Sequence, residues 1–278
     1  MTIGQWRKEA TNRLRAAGNP DCEADPNWML CDVLNISRTS IRLMIQDSLP
    51  RDKVEMLDAW LARRERGEPL QYILGNTSFM EIKIFCDPRA LIPRPETEML
   101  CEAVLTFLKR RDGGKVLDLC AGSGAIGVAL NHLCPSISLT FSDLSEDALL
   151  LARKNADAMN FQARFIRGDL FESLQGEQFT VIVCNPPYIR TGDLPDLQRE
   201  VRAEPPMALD GGADGLIFYR RIAAELDDHL EHNGAAFFEV GEGQAEAVAR
   251  MMEPIGSIEV IDDLRDIPRV VAVYKDGG

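Results

Sequence analysis

Four consecutive residues, Asn185-Pro186-Pro187-Tyr188, combine groups suited to holding a planar –NH2 group for attack on an electrophile. The two prolines lock the backbone and hold a carbonyl outward beside the Asn185 side chain. Carbonyl and side chain offer two acceptors for the two hydrogens of an amine or amide, and Tyr188 can stack on its flat face. This arrangement aims a nitrogen lone pair outward, as methyl transfer to an amide or exocyclic base amine requires. The bland alternative is a rigid turn in which Tyr188 covers apolar surface.

A second group of residues could hold a ligand. Val116 to Gly127 reads Val-Leu-Asp-Leu-Cys-Ala-Gly-Ser-Gly-Ala-Ile-Gly, a strand running into glycines and then a helix. Glycine permits a tight turn and close ligand approach, and the helix start presents free N–H groups. Asp143 ends the following strand, where a carboxylate can accept hydrogen bonds from both ribose hydroxyls of an adenosine. Capping the helix that begins at Leu144-Ser145-Glu146-Asp147 is its structural alternative. Gly122, Gly124 and Gly127 also spell GxGxxG, so a dinucleotide oxidoreductase is a rival reading. Against it stand Asp118, whose charge would disfavour a nearby pyrophosphate, and the lack of a downstream hydride-transfer constellation. The sulfonium and ammonium of S-adenosylmethionine suit a neighbouring carboxylate better.

The elements that must position these groups follow from the hydrophobic pattern. From Gln5 to about Gly67, apolar residues such as Trp6, Leu14, Trp28, Leu30, Leu43, Met56, Leu57 and Leu61 recur at helical steps. Asn19-Pro20, Asp25-Pro26 and Leu49-Pro50 punctuate this run, predicting a small helical bundle over 1–75. Residues 76–95 read as a hairpin-like linker, with alternation through Phe79–Phe85. Residues 96–278 then repeat strand, turn and helix. Strands are expected at Lys115–Leu119, Ser138–Ser142, Ala163–Arg167, Thr180–Cys184 and Ala235–Val240, with helical stretches separating the first four. That grammar predicts an α/β fold with a mostly parallel sheet covered on both faces. Ser257–Leu264 and Arg269–Lys275 are joined too briefly for a crossover, so the final pair should be antiparallel.

Composition narrows the class. The 278 residues are 45% apolar and 27% charged, a globular balance, and no apolar run approaches the length of a membrane span. Met1–Ala10 carries Trp6, Arg7, Lys8 and Glu9 with no apolar core behind them, which argues against a secretory signal. Seven scattered cysteines without a CxxC pair read as reduced cytosolic thiols, and three isolated histidines predict no metal site. Residues 1–75 carry 11 Lys/Arg against 11 Asp/Glu, so the whole formal charge of −13 falls on 76–278. An acidic surface repels phosphate backbones and weighs against a nucleic-acid partner.

With these motifs in place, the chain resembles the class I S-adenosylmethionine-dependent methyltransferases that bear an NPPY motif. More closely, it is similar to the protein-(glutamine-N5) methyltransferases that modify peptide chain release factors. The resemblance spans nearly the whole length. It includes Gly67-Glu68-Pro69-Leu70-Gln71-Tyr72-Ile73-Leu74-Gly75, Leu91-Ile92-Pro93-Arg94-Pro95-Glu96-Thr97-Glu98, Glu204-Pro205 and Asp214-Gly215-Leu216. It implies a Rossmann-like seven-stranded sheet with an antiparallel C-terminal strand behind the helical bundle, and a cytoplasmic enzyme of translation termination. The implied reaction methylates the glutamine of the Gly-Gly-Gln loop of class 1 release factors. Amine methylation of rRNA or DNA bases through the same motif is the alternative.

Carried over by position, the cofactor loop falls on Cys120, Ala121, Gly122, Ser123 and Gly124, and the ribose acid on Asp143. The residue flanking adenine corresponds to Leu170, where some relatives have an aromatic. Many relatives have Gly-Thr where this chain has Cys120-Ala121. Asn185, Pro186, Pro187 and Tyr188 hold the substrate amide, with Asn185 also near the cofactor; Asn185, Pro186 and Tyr188 carry catalysis. No His or Lys base stands nearby, so catalysis rests on positioning and electrostatics. Arg94 and Glu98 are candidates for closing the cofactor pocket, and the bundle for docking the protein substrate.

Overall fold

The computed structural model describes residues 1–276, so the last two residues of the 96–278 segment lie outside it. Two compact units divide the chain: Met1–Asn76 with Gln198–Ala203, and Thr77–Leu197 with the chain from Glu204 on.

The first unit is helical: α1 (Ile3–Ala16), α2 (Asp25–Leu34), α3 (Arg38–Leu43), α4 (Arg51–Glu65) and α5 (Leu70–Leu74). Thr2 and Gln5 form a reciprocal capping box at the start of α1, Pro26 sits in the first turn of α2, and Gly75 at φ +74° ends α5. Trp6, Leu14, Met29, Leu30, Leu57 and Leu61 form its core. Trp28, Leu43 and Met56 keep the helical spacing but face outward. Spacing alone does not tell the covered stripe from its margin, and the Trp28 ring is partly shielded by the Arg38 guanidinium at 5.0 Å. Arg64 is buried and donates to Asp25 at 2.6 Å and to Glu200 at 2.8 Å. A buried guanidinium needs such partners. That requirement explains why a hexapeptide from far along the chain groups with the helices, which no local pattern announced.

The second unit opens at Thr77, within a two-stranded hairpin of β1 (Asn76–Phe79) and β2 (Ile82–Phe85). Its turn residues Met80 and Glu81 both have positive φ, the backbone of a type I′ turn made here without glycine. After α6 (Pro95–Leu108) come β3 (Gly114–Leu119), α7 (Ala125–Leu133), β4 (Ile137–Asp143), α8 (Glu146–Ala158), β5 (Arg164–Arg167) and β6 (Phe179–Cys184). Then follow α9 (Ile217–His229), β7 (Leu230–Glu239), α10 (Ala245–Met252), β8 (Ser257–Asp262) and β9 (Pro268–Tyr274). Seven strands form one sheet in the order β5-β4-β3-β6-β7-β9-β8. Only β9 runs against its neighbours, pairing antiparallel with both β7 and β8.

One connection departs from the expected grammar. Between β5 and β6 there is no α-helix, only a single 3-10 turn at Glu172–Leu174. Leu170, Phe171 and Leu174 of this segment are buried in the main core, and Phe171 stacks on His229 with ring centroids 4.3 Å apart. The apolar residues that looked like helix periodicity serve instead as a core plug.

The chain order reverses at β3: β4 and β5 lie on one side, β6 and β7 on the other. Such a switch point opens a crevice at the carboxyl ends of the strands. Leu119, the last residue of β3, pairs with Cys184, the last of β6. The glycine loop and Asn185 therefore leave the sheet side by side, although 65 positions separate Cys120 from Asn185.

Candidate active site

A cavity of about 350 Å³ lies at this crevice, inside the range of small-molecule sites. Cys120, Ala121, Gly122, Ser123, Asp143, Leu170, Asn185 and Pro187 line it. Of the residues expected at the site, Gly124, Pro186 and Tyr188 do not reach the cavity wall.

The loop after β3 is held by its own backbone and by one carboxylate. Cys120 (φ 58°), Gly122 (φ 54°) and Gly124 (φ 73°) occupy the left-handed region. A non-glycine residue held there carries about 1–2 kcal/mol of strain, so Cys120 keeps the turn that glycine would make freely. The Ala121 N–H donates to the Ser142 carbonyl at 3.0 Å and the Gly124 N–H to the Ala121 carbonyl at 2.8 Å. Asp143 braces the whole: one oxygen accepts from the Gly122 N–H and the other from the Ser145 N–H, each at 2.8 Å. Capping of α8 falls to Ser145, whose hydroxyl accepts from the Ala148 N–H at 3.2 Å. Burial pushes the Asp143 carboxyl up, and the N–H bonds from Ser145 and Gly122 oppose it.

Asp118 sits on β3 just before the loop, as expected, but its side chain stays off the cavity wall. It is fully buried and accepts from the Gly127 N–H at 2.9 Å. Burial pushes its carboxyl up, and the Gly127 N–H bond opposes that shift. Gly127 is a packing glycine, since an added Cβ would sit 2.4 Å from Phe141 Cε1 and 3.0 Å from Asp118 Oδ2. Gly127→Ala should therefore destabilise the protein by about 1–3 kcal/mol in a urea titration, the usual cost of overpacking. An unchanged midpoint would show that α7 can shift away from β4.

The Asn185–Tyr188 segment is tied from behind. Pro186 and Pro187 are buried, and the Tyr188 carbonyl accepts from Gln244 Nε2 at 2.9 Å. The Tyr188 hydroxyl donates to Glu239 Oε1 at 3.3 Å, while the Thr97 hydroxyl donates to Glu239 Oε2 at 2.6 Å. Asn185 Nδ2 in turn donates to Thr97 Oγ1 at 3.4 Å. Tyr188 is thus anchored through its hydroxyl to the end of β7. Burial and the adjacent Glu239 push its phenol pKa up.

Arg94 lines the cavity and pairs with Glu204, which is buried and also accepts from the Ile92 N–H at 2.9 Å. Glu98 does not line it; its carboxylate accepts the Met80 N–H at 2.7 Å and so holds the hairpin turn. Thr97, Glu204 and Glu239 were not singled out as site residues. Glu239 had a signal, a lone carboxylate at the end of the apolar run Ala235-Ala236-Phe237-Phe238, where burial demands partners.

The wall fits an adenosyl cofactor. Ser142 Oγ is buried on it with no partner among the described residues, and each Asp143 oxygen retains acceptor capacity. A Cβ built on Gly122 would meet only Ala90 Cβ, at 3.8 Å, so the loop leaves room for close approach.

The sheet order and the cavity at its switch point define a class I methyltransferase fold. Solved structures agree: a methyltransferase from Pyrococcus furiosus superposes with a TM-score of 0.52 at 17% identity, covering 70% of this chain and 89% of its own. The hMettl16 catalytic domain in complex with the MAT2A 3′UTR hairpin 6 gives 0.56 at 14%, covering 82% and 84%. Residues 96–218 match the family described as methyltransferase small domain, and residues 5–75 the PrmC N-terminal domain. The release factor glutamine methyltransferase of Thermodesulfovibrio yellowstonii is 38% identical over 254 residues, covering 89% of this chain and 90% of the relative. Those of Koribacter versatilis and Deinococcus radiodurans are each 36% identical, covering 99% and 100% of both chains respectively. The chain belongs to the release factor glutamine methyltransferase family.

Proposed function

We propose that this protein methylates the side-chain amide nitrogen of the glutamine in the Gly-Gly-Gln loop of class 1 peptide chain release factors. The observation that carries the reading is the convergence of the glycine loop, Asp143 and Asn185 on one cavity, in a chain of this family. S-adenosylmethionine supplies an electrophilic methyl group when bound. Asp143 and the backbone of Cys120–Gly124 would hold its ribose and amino-acid parts, and Leu170 would flank the adenine. Asn185 orients the glutamine –NH2 from the cavity wall, and Pro186 and Tyr188 stiffen the turn that presents it. An amide nitrogen is a weak nucleophile, and fixing its distance and angle removes much of the entropic barrier. A release factor substrate implies a cytoplasmic site of action. Among the described residues no helix is long and apolar enough to cross a membrane.

Incubation with methyl-labelled S-adenosylmethionine and, separately, release factor, ribosomal RNA or DNA tests the reading. Label on the Gly-Gly-Gln peptide after proteolysis is the expected result; label on RNA or DNA alone would replace it with base methylation. For the helical unit we propose docking of the intact protein substrate. Deleting residues 1–75 would strip Glu200 of its Arg64 partner, so substitution is the cleaner probe. A Trp28→Glu/Leu43→Glu/Met56→Glu variant should raise KM for intact release factor and leave a short Gly-Gly-Gln peptide unaffected. An equal change on both substrates would count against docking.

A further inference from the structure

We propose that Glu239 is a positioning residue that fixes the orientation of the Asn185 side-chain amide, keeping its oxygen available to the substrate. This rests on the glutamine-methylation reading and adds to it a source for the motif's hydrogen-bond polarity.

Glu239 ends β7, is 3% exposed, and does not line the cavity. Its ionised carboxylate only accepts, so a hydroxyl that bonds it must donate. The 2.6 Å contact from Thr97 Oγ1 uses the one proton that hydroxyl has. Toward Asn185, Thr97 Oγ1 is then an acceptor, and only the –NH2 end of the Asn185 amide can satisfy it, as the 3.4 Å contact from Nδ2 shows. This constraint points the amide one way. Asn185 Oδ1 makes no hydrogen bond among the described residues, while Asn185 lines the cavity. An unoccupied acceptor there is what a substrate N–H requires.

The chain is directional because its terminus is an anion. A neutral amide in place of Glu239 offers a donor, allowing Thr97 to turn its proton toward Asn185 Oδ1. That reversal would consume the acceptor or rotate the amide, with almost no change of shape. Burial pushes the Glu239 carboxyl up from its ordinary value, and the hydrogen bonds from Thr97 and Tyr188 oppose that shift and favour the anion. Tyr188 supplies a second O–H to the anion, which ties the turn to the same carboxylate.

The test compares full-length wild type, Glu239→Gln, Thr97→Val and the double variant, using timed methylation of a Gly-Gly-Gln peptide read by mass spectrometry. Calorimetry with S-adenosylhomocysteine and thermal unfolding are run alongside. For Glu239→Gln, kcat should fall on the order of a hundredfold, the scale of a misoriented reacting group. Affinity for S-adenosylhomocysteine should stay within about threefold and the unfolding midpoint close to wild type, since the cofactor loop and the side-chain volume are untouched. Thr97→Val should give a similar loss of kcat. The double variant should be no worse than either single change, because all three interrupt one chain. Wild-type kcat in Glu239→Gln overturns the assignment. So does a kcat loss matched by equal losses of cofactor affinity and stability, which marks a merely structural carboxylate. A wild type that leaves the glutamine unmethylated sinks the functional reading itself, a result distinct from an active wild type with an active Glu239→Gln.

Discussion

Asn185→Ala should slow glutamine methylation by about a hundred- to a thousandfold, the cost of losing one preorganised polar contact to the reacting group. The turn should survive. Pro186 and Pro187 are buried, the Tyr188 carbonyl is held by Gln244, and the Tyr188 hydroxyl by Glu239. What disappears is the acceptor that fixes one N–H of the substrate amide, and with it the angle of attack. Cofactor affinity should fall less, since Asn185 is one of many residues around the cavity and the change leaves the glycine loop and Asp143 untouched. Mass spectrometry of the Gly-Gly-Gln peptide after a timed reaction, with cofactor binding measured in parallel, checks both halves. A near-wild-type rate would remove Asn185 from the amide-orienting role. Asn185→Asp is expected to be no better than alanine. It keeps an oxygen for the substrate, but places a second carboxylate against Thr97 Oγ1, where the native side chain donates and whose own proton is committed to Glu239.

For Asp143→Ala, affinity for S-adenosylhomocysteine should drop on the order of a hundredfold, from hydrogen bonds to a charged acceptor worth about 1.5–3 kcal/mol. Two effects combine. The ribose hydroxyls lose their acceptor, and the N–H groups of Gly122 and Ser145 lose the carboxylate that now holds each at 2.8 Å. The second loss loosens the loop before any ligand arrives, so the bound geometry must be ordered at the time of binding. Asp143→Asn separates the two. Its oxygen can hold one backbone N–H while its –NH2 cannot hold the other, so affinity should fall between wild type and alanine. Unchanged affinity of the alanine variant in calorimetry would take Asp143 out of the ribose role, and NADH binding by the wild type would revive the dinucleotide reading.

How much of this was readable from the chain varies with how local the cause is. The strands were legible because each is a short apolar run bounded by turn residues: Thr180–Cys184 was expected where Phe179–Cys184 is found, and Arg269–Lys275 where Pro268–Tyr274 is found. The antiparallel end followed from the four-residue joint Arg265–Pro268, too short for any crossover. The segment between β5 and β6 was expected to be helical, but Leu170, Phe171 and Leu174 are drawn into the core instead. Their partner, the His229 ring and the core around it, lies some sixty residues further on.

By itself the sequence determined what depends on neighbours along the chain: element types, the glycine turn, the stiff Asn-Pro-Pro corner and the acidic end of β4. The tertiary structure alone decided what depends on register and burial. Pairing of Leu119 with Cys184 brought the two motifs to one cavity, and the desolvated interior turned Asp118 into a loop support away from the ligand wall. It also sent Gln198–Ala203 to the helical unit, where a buried guanidinium needed a second carboxylate. Most of all it placed Glu239 behind Asn185, because a carboxylate shut away from water must find donors, and those within reach belong to Thr97 and Tyr188.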